Sequence, residues 1–224
     1  MTILTLLHIA SGALAVLAGA LAIGVRKGGR IHVRAGGWFV RLMVLSSLSG
    51  AVIGLIRFED FFITFFAGLL GAYLVLSGWL TAKSPAGPAK RAELGMSIVN
   101  AMTFLSLTGL GVLALNRADG AMFGFAGENY LFLAGMSGIA LVGDISRIVR
   151  GSISRKHQIA RHLWRMLLGF FIAAGSAFTG PGASAFPEAV QASGVLALPE
   201  LLILLLMIFY LIKTLATSPK PKPQ

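Results

Sequence analysis

Cysteine is absent from the 224 residues, which excludes disulfides and thiolate metal centres. Charge is scarce too: 12% of residues are charged, half the roughly 25% of a soluble domain. Acids are the rarer sign, with eight Asp and Glu against 19 Lys and Arg. No G-x-x-x-x-G-K-[ST] loop, zinc signature or nucleophile elbow occurs. Phosphate cradling, metallohydrolase and acyl-transfer chemistry thus lack their usual sequence support, and a non-enzymatic role is the favoured expectation.

What the chain has is apolar length. Hydrophobic residues make up 56% and mean hydropathy is +0.84, in runs of about 20 residues, the length that crosses a bilayer. The expected fold is all-α, a polytopic membrane helix bundle. Its seven transmembrane helices are expected near 2–24, 38–57, 61–82, 96–115, 129–149, 162–180 and 198–216. One domain covers 1–216, and 217–224 (SPKPKPQ preceded by Thr217) is a short basic proline-rich cytoplasmic tail. The first apolar segment is read as a retained span, not a secretory leader. No basic region precedes it, and Arg26, Lys27 and Arg30 follow it.

Charge placement gives an orientation. With the N-terminus outside and the C-terminus inside, 17 of the 19 Lys and Arg fall on the inner side, leaving only Arg57 and Arg117 outside. Six acids (Glu59, Asp60, Asp119, Glu128, Glu188 and Glu200) fall outside. This is the positive-inside bias. The net charge of +11 therefore reads as a cytoplasmic-face excess that attracts anionic lipids, not as a nucleic-acid patch. The expectation from charge is a multi-pass membrane protein with its basic side in the cytoplasm.

Small residues recur four apart: Ser11, Ala15 and Gly19 on the first span, Ser46, Gly50 and Gly54 on the second. Such faces let helices approach closely in lipid. Ionisable groups at membrane depth are the residues that invite a functional reading. His8 lies two turns into the first span, above Gly12, Ala15 and Gly19 on one face. It reads either as a cross-helix hydrogen bonder or as a ligand or proton relay. Asp144 precedes Arg147 by one turn, a spacing that favours a local pair, with Arg41 and Arg165 as further partners at that depth. The alternative is a carboxylate in a proton or cation path.

The segment RKGGRIHVRAGGWFV at 26–40 reads as a short interfacial loop holding His32, with Trp38 anchoring the next span. In ISRKHQIARHLWRM at 153–166, His157 and His162 stand about 140° apart around a helix at 100° per residue, so they are not a chelating pair. His157 is assigned to the solvated loop. His162 aligns with Gly169, Ala173, Ser176 and Gly180, and Arg165 lies one turn deeper. His32 and His162 share the inner level and are the pair able to hold one b-type haem, whereas His8 has no histidine partner at its own level.

These segments resemble an uncharacterised family of bacterial multi-spanning inner-membrane proteins. The resemblance rests on His8 with its small-residue helix, KGGRIHVRAGGWFV, YLVLSGWLTAK at 73–83, and RHLWRM followed by a stretch ending in FIAAGSAFTG. It departs at Val33, where a second basic residue is expected after His32. The resemblance implies a seven-span or similar bundle in the bacterial cytoplasmic membrane and no particular activity.

Three function classes follow. The first is binding or transport of a small solute or protons along faces bearing His8, Asn100, Asp144 and His162. The second is a redox component holding haem or quinone. The third is a sensor or accessory subunit, as a homo-oligomer or in a membrane complex.

Overall fold

The computed structural model describes residues 2–83 and 91–216. The tail expectation at 217–224 lies outside the described residues. The helices are α1 (Ile3–Gly24), α2 (Arg30–Ile56), α3 (Phe58–Lys83), α4 (Arg91–Leu115), α5 (Gly127–Arg150), α6 (Arg155–Ala174), α7 (Glu188–Ala192) and α8 (Leu198–Ala216). A two-residue β ladder, Ala121–Met122 with Phe125–Ala126, joins α4 to α5. Its turn carries positive φ at both Phe123 and Gly124, the backbone that closes a tight hairpin. The Phe123 ring packs edge-on against Phe58 and Phe62.

Six helical segments are long and apolar enough to cross a membrane: α1 to α5 and Val195–Ala216. Their exterior is oily, with Leu202 on α8, Ile98 on α4 and Val142 on α5 all exposed. The polar side chains Arg165, Asn100 and Ser137 are fully buried. This inside-out distribution suits a hydrocarbon surround, where backbone polar groups must be satisfied within the helix. Helix α6 falls outside the apolar set because Arg155, Lys156, Arg161 and Arg165 interrupt it. It packs on α3, α8 and α1, and its two deeper charges, Arg161 and Arg165, are buried among neighbouring helices.

Tight helix contacts follow the small residues. Ser11, Ala15 and Gly19 on α1 and Ser46, Gly50 and Gly54 on α2 are all buried. Between α2 and α3 the backbones nearly touch: a Cβ at Gly68 would lie 2.4 Å from the Ser47 carbonyl oxygen. A Cβ at Gly54 would lie 2.6 Å from the Phe65 nitrogen.

Several expected boundaries move. Helix α2 starts at Arg30, so His32 and Trp38 belong to its first turns and not to an interfacial loop. Gly29 supplies the extended residue before it. The residues Phe58, Glu59 and Asp60 form the first turn of α3, not a connection, and Phe61 kinks the helix at φ −134°. Helix α6 starts at Arg155 because the Ser154 hydroxyl accepts from the His157 amide at 3.4 Å. His157 is therefore helical and exposed, not a loop residue. The regular turns of α6 end at Ala174, a wider-wound turn covers Gly175–Thr179, and Gly180-Pro181 ends the run.

Two ends of the bundle are distinguishable. At one, Lys27 lies over the Tyr210 ring at 4.8 Å, bringing together the connection after α1 and the last turns of α8. Lys83 and Arg155 lie at this same basic end. At the other end the α2–α3 turn meets the β hairpin, with Phe58 and Phe123 ring centroids 4.8 Å apart.

Candidate functional site

The expected polar residues separate into three places. Asp144 and Arg165 meet in a buried ion cluster. Asp144 Oδ1 accepts from Arg161 Nη2 at 2.5 Å and from Arg165 Nη2 at 2.7 Å. Asp144 Oδ2 accepts from the Tyr73 hydroxyl. The side chains of Asp144 and Arg165 are 2% and 0% exposed. The guanidiniums make further bonds, although among the described residues the buried Arg165 Nε has no hydrogen-bond partner. Arg165 donates to Ser77 Oγ at 2.5 Å and to the Ala140 carbonyl at 3.0 Å. Arg161 donates to Thr81 Oγ1 at 3.2 Å and the Gly143 carbonyl at 2.8 Å.

The local partner expected for Asp144 is not used. Arg147 turns to the Gly151 carbonyl at 3.1 Å and caps the end of α5, and Arg41 lies over Trp38 on the exterior. Arg161 and Arg165 win because they stand four apart on α6 and straddle one carboxylate from the helix facing it. With both carboxylate oxygens engaged by α3 and α6, Asp144 joins three helices.

Two further polar residues are cross-helix fasteners. Asn100 donates to the Ser137 carbonyl at 3.1 Å, and Ser137 Oγ donates back to Asn100 Oδ1 at 2.8 Å, locking α4 to α5. His8 Nδ1 donates to the Ser46 carbonyl at 2.8 Å. Its ring lies against Gly50, where a Cβ would come within 2.8 Å of His8 Cε1.

His32 and His162 do share a site. Both line one cavity of about 600 Å³ at the basic end, between α1, α2, α3, α6 and Tyr210 of α8. His32 Nδ1 lies 3.0 Å from the Ala22 carbonyl, and His162 Nδ1 lies 2.9 Å from the Gly78 carbonyl. A carbonyl can only accept, so each Nδ1 carries a proton and donates it, which leaves Nε2 as the ring atom available to a ligand. Among the described residues neither Nε2 has a hydrogen-bond partner.

The walls are apolar, from Phe39, Phe170, Trp79, Met166 and Leu167. Among the described residues its charged lining is Lys27, Lys83 and Arg155, all exposed, with no carboxylate. Lys83 lies over the Trp79 ring at 4.0 Å. Gly36 and Gly37 of α2 also line the cavity, and a Cβ at either would meet nothing within 4 Å. Gly28, at φ +77°, closes the connection beneath them. The cavity has the size and composition of a site for a small organic ligand: a greasy interior with a few fixed polar groups.

No protein-family model matches the chain, and neither does any curated protein or solved structure. The site therefore stands on its own geometry. Among the described residues no three of His, Asp and Glu gather to hold a bare metal ion.

Sequence reasoning paired Asp144 with Arg165 and placed His32 and His162 at one level, but passed over Tyr73 and Arg161. A signal was present. Tyr73, Ser77 and Thr81 recur four apart on α3, one polar face, and Arg161 and Arg165 recur four apart on α6 to meet it.

Proposed function

We propose that the chain is a seven-span integral protein of the bacterial cytoplasmic membrane, N-terminus outside and C-terminus inside. In this reading it binds a small amphipathic acid in the cavity at its basic end. The observation that carries the binding reading is the cavity: about 600 Å³, apolar walls and, among the described residues, three cations and no carboxylate in its lining. An apolar body gains from leaving water or lipid headgroups, and its acidic group meets Lys27, Lys83 and Arg155.

The seventh span is α6, whose two deeper charges, Arg161 and Arg165, are covered by α3 and α5. The orientation rests on the positive-inside count, and the bacterial membrane on the resemblance carried by RHLWRM and KGGRIHVRAGGWFV. Exposed Arg30, Arg34 and Arg41 on α2 form the part of this edge that draws anionic headgroups. A proton path through Asp144 gains no support from a carboxylate that is fully engaged.

The test is direct binding to the full chain in neutral detergent. Oleate is expected to bind more tightly than methyl oleate, which lacks the charge. Replacing Lys27, Lys83 and Arg155 together by Gln should weaken oleate binding about tenfold, since exposed charges each contribute below about 1 kcal/mol. Equal affinity for acid and ester would sink the reading.

A further inference from the structure

We propose that the cavity holds an iron porphyrin, with His32 and His162 as its two axial ligands; this rests on the amphipathic-acid reading of the same cavity. The two imidazoles are prepared for a metal. Ligating histidines almost always donate their other ring N–H to a carbonyl or carboxylate, which fixes the tautomer and the ring. Here both Nδ1–H groups are committed to helix carbonyls, those of Ala22 on α1 and Gly78 on α3. Both Nε2 atoms are left for a ligand, on side chains from α2 and α6 that line one cavity.

The ring chemistry narrows the ligand. With each Nδ1–H committed to a carbonyl, Nε2 is the one ring atom left to meet a ligand, and in the neutral ring it is a metal ligand or an acceptor. It seeks a metal or a donor. A bare zinc or iron ion needs three or four protein ligands, and among the described residues no such group exists. An iron that brings four equatorial nitrogens of its own needs only two axial ligands.

The walls agree. Gly36 and Gly37 sit inside α2, where glycine costs about 0.5–1 kcal/mol relative to alanine, yet no neighbouring atom demands either. Their open face leaves room for a flat macrocycle. Phe39, Phe170 and Trp79 supply apolar surface, and Lys27, Lys83 and Arg155 are the partners for two propionates.

The experiment titrates hemin into the purified full chain in neutral detergent and follows absorption and electron paramagnetic resonance. The expected result is one hemin per chain with a six-coordinate low-spin bis-imidazole spectrum and sharp α and β bands after dithionite reduction. His32→Ala and His162→Ala should each give a five-coordinate high-spin species or lose the pigment. His162→Met should keep the haem and raise its reduction potential.

Gly36→Leu guards against loss of fold. It places a side chain in open space, so it should leave the melting temperature unchanged while abolishing hemin binding. Hemin that binds high-spin, or a low-spin spectrum indifferent to both His→Ala variants or to Gly36→Leu, overturns the proposal. If hemin fails to bind while oleate still does, the haem assignment falls and the cavity reading survives. If neither binds, both fall.

Discussion

At the scale of single residues, magnitude separates fasteners that look alike on paper. Asp144 serves two guanidiniums that are 10% and 0% exposed. Removing one partner of a buried pair costs about 3–5 kcal/mol, because the remaining charge stays buried without compensation. Asp144→Ala should therefore fall near that range in reversible unfolding in mixed micelles, with Arg165→Ala similar. Tyr73→Phe removes one hydrogen bond to a charged group and should cost about 1.5–3 kcal/mol. Asn100→Ala breaks a neutral interhelical link, a class averaging about 0.6 kcal/mol in membrane bundles. If Asp144→Ala unfolds no more readily than Asn100→Ala, the ion cluster is not what joins α3, α5 and α6.

At the scale of elements, helix contact distance decides which glycines matter. Gly68 faces the α2 backbone with no room for a methyl group. Gly68→Ala must push α2 and α3 apart and should cost about 1–3 kcal/mol, as overpacking does. Gly135 lies exposed on α5, where a Cβ meets nothing within 4 Å. Gly135→Ala should be neutral or stabilising by up to about 1 kcal/mol through helix propensity alone. Melting both variants in the same detergent checks the contrast. A Gly68→Ala protein as stable as the parent would show that the two helices are not held at this separation.

At the scale of the whole molecule, the natural absence of cysteine makes topology readable by single introduced thiols. Ser184 follows α6 and Ser152 precedes it, and both are exposed. With the proposed orientation, a membrane-impermeant maleimide added to intact spheroplasts should label Ser184→Cys and spare Ser152→Cys until the membrane is opened. Labelling of both at once would mean that α6 does not cross, despite its central place in the bundle.

The sequence by itself determined the apolar helices, the small-residue faces on α1 and α2, and the charge asymmetry between the two ends. All of these depend on local composition and on the 3.6-residue period. It carried half of the site in legible form. His32 and His162 could be set at one depth by counting residues, and Asp144 could be offered Arg165. Direction around the helix axis and the identity of the facing helix were not available. Those decided that Arg161 joins Asp144 while Arg147 does not, and that His8 fastens α1 to α2. Only the tertiary structure joined Lys27, Lys83, Arg155 and the two histidines around one cavity. These five residues lie on segments up to 135 positions apart in the chain, and packing alone brings such segments together.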